Sequence, residues 1–159
     1  MNLFAINIVL SIVWASLWAE FTVLSLTTGF ILGYAALWVA QPLFGEKVIY
    51  FRRVWRVINL IGFFLYGLVV SSIRVAWDVI TPTQLSNPAI IEMPLDVKSD
   101  IEILLVTNLI SLTPGTLSLD VSPDRKKLIV HAMFADDPES LIHELKDGME
   151  LKVMEVFET

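Results

Sequence analysis

The apolar positions of the chain fall into two regimes. From Met1 to Gly45 the only charged side chain is Glu20, which separates two nearly unbroken apolar stretches, Leu3–Ala19 and Thr22–Ala40. As helices rising ~1.5 Å per residue they reach roughly 26–28 Å, just short of an average hydrocarbon core of ~30 Å. Such segments cross a thinned bilayer or form a shallow hairpin, and in lipid only a helix bonds their backbone groups internally. No basic residues precede the first stretch and apolar character resumes beyond Glu20, so a signal peptide is not the expected reading. Gly29 and Gly33 share one face of the second stretch, a small-residue spacing that lets another helix come close.

A third apolar segment runs from Phe51 to Ile80, with an uncharged centre at Val57–Ile73. Trp55 and Trp77 bracket that centre, 22 residues apart. The separation is roughly 33 Å along a helix, which matches aromatic belts at the two interfaces of a bilayer. Arg52, Arg53 and Arg56 lie at the first belt, and Arg74 and Asp78, four residues apart, lie at the second. Asn59 and Ser71 can bond to neighbouring helices or simply be solvated near the interface. The basic cluster Lys47–Arg56 belongs in the cytoplasm by the positive-inside rule. A full crossing by the third segment then puts everything after it outside; if that segment does not fully cross, or if partner subunits override the rule and set the topology, the acidic half can be cytoplasmic.

Beyond the linker 81–88 the pattern changes to short periodic elements in the order βαββαβ. Ala89–Leu95 reads as a strand, and Ser99–Leu112 as a helix opened by the capping box Ser99-Asp-Ile-Glu102 and broken by Pro114-Gly115. Thr116–Ser122 alternates, with Leu117, Leu119 and Val121 on one face, and Pro123-Asp-Arg-Lys turns it into Lys127–Phe134, where Leu128, Val130, Ala132 and Phe134 share a face. Asp137-Pro138-Glu139 opens a second helix that Gly148 is expected to stop, and Met149–Phe157 is expected to be the last strand. The order is that of a ferredoxin-like α+β sandwich. The expected organisation is therefore a transmembrane helical region at 1–80 with two to three apolar helices, the linker, and a soluble domain at 89–159. Helix 99–112 has almost no polar face, which implies contact with a membrane surface or a partner as well as its own sheet.

Charge sharpens the division. Residues 1–88 hold five basic and three acidic groups, whereas 89–159 hold six basic and fourteen acidic. The whole chain is 55% hydrophobic at net −6, which suits a membrane protein and disfavours nucleic acid as a partner. There is no cysteine, no phosphate-binding or dinucleotide glycine fingerprint and no zinc-type histidine pair, so neither an enzyme nor a bound cofactor or metal is expected. His131 and His143 read as structural. Asp136, Asp137 and Glu139 are acids at a helix start, where capping competes with cation binding. Arg125-Lys126-Lys127 is either a solvated turn or a contact for membrane lipids.

The most distinctive string is Asn108-Leu-Ile-Ser-Leu-Thr-Pro-Gly-Thr-Leu117. With the apolar helix before it, Leu119-Asp120-Val121 after it and the later Ile129-Val130-His131, it resembles the E subunits of the Mrp-type, or Mnh-type, multisubunit sodium/proton antiporters. The resemblance covers nearly the whole chain. It implies a nonenzymatic accessory subunit in a prokaryotic plasma membrane, with other antiporter subunits as partners and a cytoplasmic C-terminal domain. The matching positions are Asn108, Ser111, Thr113, Pro114, Gly115 and Thr116, where proline ends a helix and glycine permits a sharp reversal. Two other readings are a free-standing membrane-anchored sensor of a ligand or ion, and an ion conductor that uses Glu20.

Overall fold

The computed structural model describes residues 3–44, 49–82 and 86–158. Lys47 and linker positions 83–85 lie outside them. The elements are α1 (Leu3–Leu17), α2 (Val23–Ala40), a 3₁₀ turn (Gln41–Phe44), α3 (Ile49–Ile80), β1 (Ala89–Pro94), α4 (Asp100–Leu112), β2 (Thr116–Val121), β3 (Lys127–Ala132), α5 (Pro138–Leu145), a π turn (Lys146–Glu150) and α6 (Leu151–Phe157). Among the described residues two helices, Val23–Ala40 and Ile49–Ile80, are long and apolar enough to cross a membrane, and Leu3–Leu17 is a shorter apolar helix. Two compact units divide at Val54/Trp55, inside α3, whereas the sequence places the boundary at 81–88.

In the first unit α1 and α2 form a hairpin, with Thr22 capping α2 through a bond from the Ser25 amide (3.1 Å). Its contact sets two glycines of α2 against side chains of α1. The Gly29 position lies against Trp14, where an added Cβ would stand 2.8 Å from the Trp14 Cβ, and the Gly33 position lies against Asn7 and Leu10. The two glycines therefore receive α1, as their spacing suggested. Ser11 donates to the Leu26 carbonyl (2.6 Å) and the Asn7 amide donates to the Tyr50 hydroxyl (3.0 Å). Asn7, Ser11 and Ala15 are buried, and of the large apolar side chains Leu37 is buried while most point outward.

The second unit is a three-stranded antiparallel sheet, order β1-β3-β2, with helices packed on one face. Ile91 pairs with Val130 and Met93 with Leu128, and these join Val106, Ile110 and Val153 in the core. The capping box forms as expected: Ser99 Oγ accepts from the Glu102 amide, and Glu102 accepts from the Ser99 amide (2.9 Å). The Ser99 hydroxyl, then its amide, hold the Glu102 carboxyl below its ordinary range. Asp137 caps α5 by accepting from the Glu139 and Ser140 amides (3.1 and 3.2 Å).

Expectations for two segments are corrected, the C-terminal one and β2. Met149–Phe157 is not a strand: it continues through the π turn into α6, so the sheet has three strands. The segment satisfies both periods, and the helical one wins by burying Met149 and Val153 against the core. Gly148 stops nothing; it is buried inside the π turn, where a Cβ would stand 2.7 Å from Phe63 Cζ. Glu150, buried on the same turn, accepts the Asp96 and Val97 amides (2.6 and 3.1 Å), and Lys146 pairs with Asp96 (2.7 Å), tying the turn to the loop after β1. The second correction concerns β2. A register shift between Ser118 and Asp120 sets Val121 opposite Leu128 and leaves Leu117 and Leu119 each 49% exposed. Ser118, opposite Val130, takes the inward position instead.

Candidate functional site: the helix–strand corner and the face of α3

The corner after α4 is built by local chemistry. Thr113 is extended (φ −83°, ψ 120°), as the following proline requires, and Gly115 takes φ +91°, which favours glycine. Thr113 Oγ1 donates to the Leu109 carbonyl (2.9 Å), and Thr116 Oγ1 donates to the carbonyls of Ile110 (2.6 Å) and Thr113 (3.0 Å). These bonds satisfy carbonyls that the end of a helix leaves without partners. Ser111 Oγ accepts the Ser118 amide and Ser118 Oγ donates to the Thr107 carbonyl, both at 3.0 Å. The Met133 amide donates to the Gly115 carbonyl (2.7 Å). One loop thus staples α4, β2 and β3 together.

Of the six motif positions, Ser111, Thr113, Pro114, Gly115 and Thr116 converge on this corner. Asn108 does not; its amide donates to the Leu104 carbonyl (2.7 Å) on the exposed surface of α4. Ser118 is the participant that sequence reasoning missed. Its place as a hydroxyl among leucines on an alternating strand was the available signal.

The interface residues on α3 divide by face. Trp55 and Trp77 are exposed (68% and 60%), as are Arg52 and Arg53. Arg56 turns to the end of α6, donating to the carbonyls of Glu155 (2.5 Å) and Glu158 (3.1 Å) and pairing with the Glu158 carboxylate (3.2 Å). A cation there completes the C-terminus of a helix, a role its place in a basic cluster did not suggest. Arg74 lays its guanidinium 4.3 Å from the centroid of Phe134, and Asp78 is buried at 6% exposure. Arg74, Trp77, Phe134 and Asp136 border an open groove beside the corner. A Cβ at Gly115 would lie 3.6 Å from both Phe134 and Val75, so the corner abuts α3.

A lipid-compatible helical hairpin followed by a long apolar helix carrying a small α+β unit defines a membrane protein with an attached sheet domain. The chain belongs to the MNHE family, Na+/H+ ion antiporter subunit, which it matches over residues 7–156. It is 34% identical to the E subunit of the Na(+)/H(+) antiporter of Alkalihalophilus pseudofirmus over 151 residues, 95% of each chain. It is 31% identical to the E1 subunit of the Na(+)/H(+) antiporter of Staphylococcus haemolyticus over 153 residues, 96% of each. Among solved structures it is similar to a chain of the Mrp complex from Dietzia sp. (26% identity, TM-score 0.51), covering 65% of this chain and 97% of that one. A chain of an archaeal membrane-bound sulfane sulfur reductase shares the fold at 24% identity and TM-score 0.57, covering 99% of this chain and 100% of that one.

Proposed function

We propose that the chain is an accessory subunit of a multisubunit sodium/proton antiporter in a prokaryotic plasma membrane, with other antiporter subunits as its partners. In this reading it catalyses no reaction. The α1–α2 hairpin is embedded in the membrane and the α+β unit is cytoplasmic. The observation that carries the reading is the match to an antiporter E subunit along almost the whole chain. The apolar surface the chain leaves uncovered agrees with it: Ile101, Leu104 and Leu112 on α4, and Leu117 and Leu119 on β2, are exposed and suit contact with other subunits. We read the α+β unit as ferredoxin-like without its closing strand, since the order βαββα is kept.

The corner positions the α+β unit on its neighbours, with Ser111, Thr113, Pro114, Gly115 and Thr116 setting the angle between α4 and β2 and Asn108 presented on the adjacent helix surface. Gentle solubilisation of the native membrane and recovery of a tagged copy tests the subunit assignment. Several large membrane subunits in fixed ratio are expected by mass spectrometry; recovery of the chain alone overturns it. Pro114→Gly and Thr113→Ala are expected to lower both assembly and antiport. If both survive unchanged, the corner is only a turn.

A further inference from the structure

Between Arg56 and Val75 the two faces of α3 meet different surroundings. On one face Arg56 reaches α6, Leu60 packs on the core, Phe63 lies against Gly148, and Val75 lies against Gly115. On the other, Trp55, Ile58, Leu65, Val69, Ile73 and Trp77 recur at steps of three, four and seven and are all exposed, an apolar stripe holding no charge. The α+β unit therefore runs alongside the helix from Arg56 to Val75, ~28 Å at 1.5 Å per residue.

That geometry weighs against a helix that crosses hydrocarbon. The Lys152 ammonium stands 5.1 Å from the ring centroid of Phe63, two residues from the midpoint of the uncharged centre 57–73. A crossing would place that cation near the bilayer midplane, where each charge costs about 2.5–3.5 kcal/mol on insertion scales, and would draw the acidic unit in beside it.

We infer that α3 lies in the plane of the membrane–water interface, its Trp55–Trp77 stripe facing lipid and the α+β unit held on its water side. Lipid is the occupant the chain itself points to. Ala40, the end of an apolar span, is only nine residues before Ile49, which holds α3 close to a bilayer. The two tryptophans sit at either end of the same face, where amphipathic rings anchor at headgroup level. An in-plane helix is buried to a depth of ~5–10 Å on its apolar side. With only α1 and α2 crossing, the basic segment before Trp55 and the acidic half fall on one side, and the positive-inside rule then assigns both to the cytoplasm.

The chain has no cysteine, so single substitutions can be labelled uniquely. Ile58→Cys, Leu65→Cys, Val69→Cys and Ile73→Cys, each spin-labelled in the full chain within native-lipid particles, report depth from the ratio of oxygen to nickel-chelate accessibility. The expected result is four depths agreeing within ~5 Å, in the shallow acyl region. A profile deepest at Leu65 that falls toward opposite surfaces, with Ile58 and Ile73 ~22 Å apart, overturns the inference. So does low accessibility to both reagents at all four sites, which would mean a protein partner covers the stripe. In oriented vesicles, an impermeant maleimide should label Arg52→Cys and Ile80→Cys from the same side, and opposite sides would overturn it. Retention of partner subunits in the same preparations separates a failure of this inference from a failure of the subunit assignment.

Discussion

The two units are packed in opposite senses. In the α1–α2 hairpin the buried positions are Asn7, Ser11, Ala15, Gly29, Gly33 and one large apolar residue, Leu37, while most large side chains, such as Leu17 and Val39, face outward. In the α+β unit the buried positions are Met93, Ile110, Leu128 and Val130. Water drives the second arrangement by expelling apolar surface. Lipid supplies no such drive between helices, so close backbone approach and hydrogen bonds must hold the first together. One chain thus carries the packing logic of two solvents, and α3 carries both on its two faces.

The largest test of that contrast is a matched pair of truncations. Leu128→Ala should cost about 2–5 kcal/mol in denaturant unfolding of the detergent-solubilised chain, because it opens a cavity in a closed core. Val39→Ala, at an exposed position of α2, should stay within about 0.5 kcal/mol. Comparable losses would break the comparison.

Next come the glycines at which the backbone meets a side chain. Gly33→Leu and Gly148→Ala each over-pack a filled contact and should cost about 1–3 kcal/mol in thermal unfolding. Phe63→Leu should restore much of the Gly148→Ala loss and none of the Gly33→Leu loss. A rescue of both would mean that the sites are not independent.

A smaller effect belongs to the capping box alone. Ser99→Ala should cost ~1 kcal/mol near neutral pH. The Glu102 carboxyl is lowered in the folded state, so its contribution is present above its unfolded pKa of ~4.3 and is lost as pH falls through the folded value. The Ser99→Ala penalty should therefore shrink in acid, and a penalty constant from neutral pH to pH ~3 would show that the cap works without the carboxylate. Smaller again, Tyr50→Phe removes the acceptor of the Asn7 amide, a bond between α1 and the start of α3, and should lower the stability of the first unit by only ~0.6 kcal/mol, read by thermal unfolding in detergent.

Sequence alone determined what depends on neighbours along the chain. The limits of the apolar helices, the caps at Ser99 and Asp137, and the Thr113–Thr116 reversal follow from hydropathy, side-chain bonds to nearby amides and allowed backbone angles. Most of the corner was legible for the same reason, since its bonds join residues within seven positions, apart from the Ser118–Thr107 and Met133–Gly115 contacts.

Only the tertiary structure decided what depends on distant partners. Met149–Phe157 fits a strand or a helix equally well by period, and its packing on the core made it α6. Gly148 has a helix-stop composition, yet its place is dictated by Phe63, and Arg56 finds its carbonyl partner 99 residues away at Glu155. The same holds for α3: its composition fits a crossing helix, but one face is occupied from Arg56 to Val75 by the folded unit that follows. Periodicity records which residues can share a face, and long-range packing determines what that face meets.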